Sequence, residues 1–288
     1  MDLLSLLGNS IAAGVLVGGF YASVTVGLSI SFGMLDIANI AHPAFIILGS
    51  YLAYVANTVL GLDPILAGLI MLPAFYLLGV GIYQVYHFAF ERRGEESLRA
   101  LAFFFGVLFI MEIVLVLTFG VDYRLVVAPY IGPSFRLGPI DLPLRLLVPC
   151  LVSLGLIGIL HLFLSRSFLG RAILAVSQDE GALRLMGARP SQIKRVAFGL
   201  SIATAAVAGA VLIVTQPVEP SIGRDYIGRA FAICVLGGMG SLAGMVVAAL
   251  TGVSIMPGRG IPSATLMKVR RSSERSQSIC TQSPPHTW

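Results

Sequence analysis

Charge is what this chain has least of. Only 11% of its 288 residues are Asp, Glu, Lys or Arg, against about 25% in an ordinary soluble domain. Lysine occurs twice, at Lys194 and Lys268. So little charge excludes a disordered chain and a basic nucleic-acid-binding face, and it argues against a soluble enzyme. Neither lysine closes a G-x-x-x-x-G-K-[ST] loop, and H-E-x-x-H, G-x-S-x-G and Cys-x-x-Cys are also missing. No catalytic residue is therefore expected here. Cysteine is sparse as well: Cys150, Cys234 and Cys280 are widely scattered, and the first two sit in apolar runs. That placement fits burial as small hydrophobes rather than a disulfide or a metal site.

What fills the chain instead is apolar: 57% of the residues are hydrophobic and the mean hydropathy is +0.91. Crossing a hydrocarbon core of about 30 Å takes roughly 20 mostly apolar residues in a helix. Seven stretches meet that length: 9–34, 42–60, 65–88 (with a kink expected at Pro73), 98–119, 144–164, 196–215 and 231–253. The fold class is thus an all-α, polytopic membrane helix bundle of about seven transmembrane helices, in contact with lipid. The loop 165–195 carries Arg166, Arg171, Arg184, Arg189, Lys194 and Arg195 against only Asp179 and Glu180. The bias of Lys and Arg toward the cytoplasm puts this loop inside and the N-terminus outside. Residues 1–253 form the membrane domain. The segment 254–288 is Ser- and Arg-rich and reads as a disordered or frame-altered tail.

Polar groups inside the apolar stretches are the candidates for function. Asp36, Asn39 and His42 fall between the first two spans, in a stretch too polar for lipid-facing helix and too apolar for a solvated loop. Pro43 disfavours helix at the residue before it, so a broken or re-entrant second segment is expected. Asn39 and His42 either line a substrate path or cap helix ends. Glu112 lies in mid-span, where it lines a path or meets a partner inside the bundle. Gly14 and Gly18, and Gly240 and Gly244, are spaced four apart, which lets helices approach closely. The run containing Gly237 and Gly238 is a close crossing or a hinge. In the basic loop, residues 172–186 suit one amphipathic helix with Ala172, Ala175, Val176, Leu183 and Met186 on its apolar side, stopped at Gly187. Such a helix docks on a partner or packs on its own bundle.

Three blocks in this order resemble the membrane permease subunits of branched-chain amino-acid ABC importers. They are FGMLDIANIAHPAFIILGSY at 32–51, GRAILAVSQD at 170–179 continuing to Met186 and Gly187, and AFAICVLGGMGSLAG at 230–244. The chain departs from the family pattern at Pro43, where Gly is usual, and at Gly181 and Leu183, where the coupling loop usually has Glu and Ala. The family also usually continues with another hydrophobic helix where this chain turns Ser- and Arg-rich. The resemblance implies a bacterial plasma (inner) membrane subunit without cofactors. Its partners would be two cytoplasmic ABC ATPase subunits, a second homologous permease and an extracytoplasmic amino-acid-binding protein. It further implies that Gln178, Asp179, Ala182, Arg184, Gly187, Arg189 and Lys194, on a cytoplasmic coupling helix, face the ATPase. Asn39, His42 and Tyr51 would then lie along the path, joined by Glu112 as a mid-span candidate. The alternative is an ion-coupled secondary transporter or channel, which would use Glu112 or Asp36 as its coupling carboxylate.

Overall fold

A helix that is apolar on every side has to be buried, and the stretch after Pro190 is such a helix. In the computed structural model, which describes residues 3–90, 97–128, 130–131, 134–137 and 140–255, helix α9 (Pro190–Thr215) is the axis of the bundle. From Ala197 to Thr215 nearly every residue is buried. Around it pack α1 (Leu3–Leu28), α2 (His42–Leu60), α3 (Pro64–Ile70), α4 (Leu72–Ala89) and α6 (Leu144–Arg166). Small side chains on α9 set the spacing. A Cβ on Gly209 would strike the backbone of Ile46 and Ser50, and one on Gly49 would strike Ala205 and Ala206. Close approach then permits bonds between helices: the Ser50 hydroxyl donates to the Gly209 carbonyl at 2.7 Å, and the Ser201 hydroxyl donates to the Gly27 carbonyl at 2.6 Å.

The remaining elements are α5 (Ser97–Phe119), a short antiparallel pair β1 (Ser134–Leu137) and β2 (Ile140–Pro143), α7 (Phe168–Gln178), α8 (Glu180–Leu185), α10 (Gly223–Leu236) and α11 (Leu242–Ile255). Among the described residues five helices are long and apolar enough to cross a membrane, or six if α3 and α4 count as one bent span. That pair bends by 48° at Met71, with Pro73 in the first turn of α4, so the kink expected at Pro73 is present. Asp63 caps α3 by accepting from the Ile65 amide at 2.9 Å, ahead of Pro64.

The seventh expected span, 231–253, is corrected by the structure. It is two 14-residue helices, α10 and α11, joined by a turn. Gly238 and Gly240 there hold φ of +87° and +85°, a conformation that L side chains rarely adopt. Contacts with α1 trace the reversal. Tyr226 and Arg229 of α10 meet Tyr21, Gly240 meets Gly33, and Ala249 of α11 is back beside Gly18. Gly237 and Gly244 press against each other across the turn. The described residues up to 254 pack as one unit; of the tail expected over 254–288, residues 254 and 255 end α11, and the rest, with Cys280, lies outside the described residues.

Candidate functional site

The first unusual feature is where α2 begins. Helix α1 ends in a π-helical stretch, Ser29–Met34, and the chain then runs without regular structure to His42. Within that segment Leu35, Ile37, Asn39 and Ala41 are buried, and Asp36 takes φ of +56°. The His42 ring lies over Gly27 of α1 and beside Thr204 of α9; a Cβ on Gly27 would strike both side chains. Thr204 is about 21 Å along α9 from Pro190 at 1.5 Å per residue, so α2 begins in the middle of the bundle. Pro43 sits in the first turn of α2, where a missing N–H costs nothing. The break expected in the second segment is therefore located ahead of the helix and not within it.

Asn39 and His42 come together at this break, both essentially inaccessible to solvent. Neither caps α2, whose N-cap is Ala41 with no side-chain bond. Both polar atoms of the Asn39 carboxamide and both ring nitrogens of His42 have no hydrogen-bond partner among the described residues. Buried polar groups are nearly always paired, which makes this cluster exceptional. Tyr51 is about 13 Å farther along α2 and is not part of it. Its hydroxyl reaches the Val218 carbonyl at 3.5 Å and its ring lies 4.7 Å from that of Phe119.

A second feature lies where α10 begins. Gly223 is against Ile47 and Pro43 of α2, so α10 also starts inside the bundle. Arg224, in its first turn, donates to the Glu112 carboxylate of α5 at 2.8 Å. Glu112 thus has a partner from another helix. Elsewhere on α10 the Arg229 guanidinium donates to the Tyr21 hydroxyl of α1 at 2.7 Å, and the Gln216 amide donates to the Tyr226 hydroxyl.

The third feature is the basic loop. The single amphipathic helix expected over 172–186 is corrected to two, α7 and α8, because Asp179 leaves helical geometry and caps α8, accepting from the Ala182 amide at 2.9 Å. Gly187 at φ +80° ends α8, with the Ala188 amide bonded back to the Leu183 carbonyl. Gln178, Asp179, Arg184 and Arg189 are exposed, and Ala182 is half-buried. Lys194, expected to face a partner protein, is 6% exposed, and its ammonium lies 2.7 Å from Glu180. Glu180 also pairs with Arg184 at 2.5 Å. Burial alone would raise the Glu180 pKa, but bonds from Lys194 and Arg184 outweigh it and hold the carboxyl below the usual range. Met186, expected on the apolar side of this helix, is 83% exposed, and Leu185 is 91% exposed. An apolar groove of about 520 Å³ lies between α7, α8 and the start of α9, lined by residues such as Phe168, Ala172, Leu183 and Ile193.

Residues 10–256 match the family described as the branched-chain amino acid transport system permease component. The chain belongs to this family. The permease is 31% identical over 255 residues to the high-affinity branched-chain amino acid transport system permease protein BraD of Pseudomonas aeruginosa, covering 82% of this chain and 81% of that one. It is 27% identical over 251 residues to LivH of Escherichia coli, covering 82% and 80%. A shorter stretch of 112 residues is 39% identical to LivM of Salmonella typhimurium, 37% of this chain and 26% of that one. No solved structure matches the chain significantly.

The expected packing glycines of the permease are placed as follows. Gly18 abuts Ala249 and Leu250, Gly237 abuts Met245 and Gly244, Gly240 abuts Gly33, and Gly238 faces open space; Gly14 is half-buried. Sequence reasoning missed Arg224, Arg229 and Tyr226, because the seventh span was started at residue 231. The signal was present as two arginines and an aspartate in the stretch 223–229, directly ahead of an apolar run.

Proposed function

We propose that this chain is the membrane-spanning subunit of an ABC importer that carries branched-chain or related amino acids across a bacterial plasma (inner) membrane. ATP is hydrolysed on two separate cytoplasmic subunits. A second homologous permease completes the path, and an extracytoplasmic binding protein supplies substrate. The loop 165–195 faces the cytoplasm, as its arginine content requires.

The observation that carries this reading is the α7–α8 module. Leu185 and Met186 project from the end of α8, a docking knob of the kind that a groove on a partner accepts. Behind them the Glu180–Lys194 pair ties α8 to α9, the most buried helix of the bundle. A partner that displaces α8 therefore pushes on the axis against which α1, α2, α3, α4 and α6 are packed. This is the mechanical link that alternating access driven by ATPase closure requires. Arg184 and Arg189 supply charged contacts around the knob, while Lys194 works from behind it. On the membrane side, Asn39 and His42 are polar groups of the path, and Tyr51 holds the segment leading into α10.

The test is purification of the tagged chain from native membranes in mild detergent, with mass spectrometry of what co-elutes. Recovery of a P-loop ATPase and a second permease is the expected result. A chain that elutes alone, with amino-acid uptake abolished by a protonophore, would replace this reading with an ion-coupled transporter.

A further inference from the structure

We propose that the Glu112–Arg224 pair is the point inside the bundle where the transported zwitterion is held. The substrate's α-ammonium group takes Glu112 and its α-carboxylate takes Arg224, and the two protein charges pair with each other when substrate is absent. The proposal rests on the amino-acid importer reading above.

Depth is the first argument. Glu112 is about 22 Å from the start of α5 and about 11 Å from its end, within the thickness of the hydrocarbon core. Arg224 meets it at that level from α10, whose first residue packs on Pro43 and Ile47 of α2. Ionisable groups at such depth are costly, and those that persist face the bundle interior or a water-filled path.

Exposure is the second. The Glu112 side chain is 15% exposed, whereas that of Arg224 is 53% exposed even while paired. The guanidinium therefore has a free side, directed away from its own bundle. One turn along α10, Gly228 has no atom within 4 Å of where a Cβ would stand, so the surface beside Arg224 is open. A lipid-facing arginine would be expensive; one facing an aqueous path shared with a second permease is not.

A structural need for the pair is the competing explanation, and α10 does not require it. The first turns of α10 are already fastened by Arg229 to Tyr21 and by Tyr226 to Gln216. The chemistry also suits transport. A guanidinium binds a carboxylate in a planar fork, and the zwitterion replaces one carboxylate–guanidinium contact with an equivalent one while adding an ammonium–carboxylate contact. The net gain is modest, so the site can release what it holds.

The test uses the complete transporter in proteoliposomes with its binding protein and radiolabelled leucine. Glu112→Gln and Arg224→Gln are each expected to lower uptake about tenfold or more, the worth of one charge-assisted bond, with the ATPase still co-purifying. Glu112→Asp and Arg224→Lys are expected to retain a measurable part. The charge swap Glu112→Arg with Arg224→Glu rebuilds an ion pair but presents it the wrong way round, and uptake stays low. Uptake restored by the swap, or unchanged in either Gln variant, would overturn the subsite while leaving the importer reading intact. A wild-type complex with no ATP-dependent amino-acid uptake would overturn both.

Discussion

The Ser201 hydroxyl donates to the Gly27 carbonyl at 2.6 Å, and the His42 ring lies over the Gly27 α-carbon beside Thr204. This contact joins α1, α2 and α9 at one level, and the space for it exists because residue 27 has no side chain. Gly27→Ala would place a methyl group into the His42 ring and the Thr204 hydroxyl. The expected result is a loss of about 1–3 kcal/mol, as for other overpacked cores. It is read as a lower unfolding temperature of the detergent-purified protein and a smaller folded yield. Gly81→Ala, where nothing lies within 4 Å, is the control expected to leave both unchanged.

At the break before α2, Asn39→Ala removes a buried carboxamide that has no hydrogen-bond partner among the described residues. A carboxamide held in the fold by hydrogen bonds would instead make this substitution destabilising, by about 1–3 kcal/mol. The path role predicts stability equal to or above wild type together with a clear fall in uptake. Thermal unfolding and uptake measured on the same preparation separate the two, and normal transport by Asn39→Ala would remove Asn39 from the path.

The Glu180–Lys194 pair makes a pH prediction. Its neighbours hold the Glu180 carboxyl below the usual range, so its contribution is complete above the unfolded value of about 4.3 and is lost as pH falls through the lower folded value. Amide exchange in 168–195 is expected to stay slow from neutral pH down to about 5, after correction for intrinsic rates. Protection then declines at more acid pH. In Glu180→Gln the Lys194 ammonium keeps its burial but loses its carboxylate, at about 2 kcal/mol. Its protection is expected to be weaker at neutral pH and to lack the acid step.

Leu185 and Met186 predict a partner defect without a folding defect. Both are almost fully exposed, so Leu185→Glu with Met186→Glu costs the isolated chain little. Recovery of the ATPase on the tagged permease is expected to fall below detection while the second permease is still recovered. Equal ATPase recovery would move the docking surface elsewhere.

How much of this was legible in the sequence follows from what each signal measures. Hydropathy registers length and apolarity, and it marked the stretches that became α1, α2, α5, α6 and α9. It is blind to chain reversal, so the apolar run 231–253 read as one span although Gly238 and Gly240 turn it back. Pro73 marked the bend between α3 and α4 because a proline effect is local. Asn39 and His42 were visible as polar residues in an apolar setting. Their lack of partners was not, since it depends on Gly27 and Thr204 from two other helices. Glu112 was visible for the same reason, while Arg224 is 112 positions away and only the fold brings the two together. In the basic loop, Gly187 announced the end of α8, but Lys194 looked like a surface charge because periodicity cannot report an ion pair formed across a turn.

The most direct test of the account is uptake of radiolabelled leucine into proteoliposomes holding the permease with its co-purified partners, with the binding protein outside and ATP inside or absent. The account predicts accumulation that requires internal ATP and survives a protonophore. Accumulation that proceeds without ATP and collapses with the protonophore would contradict it.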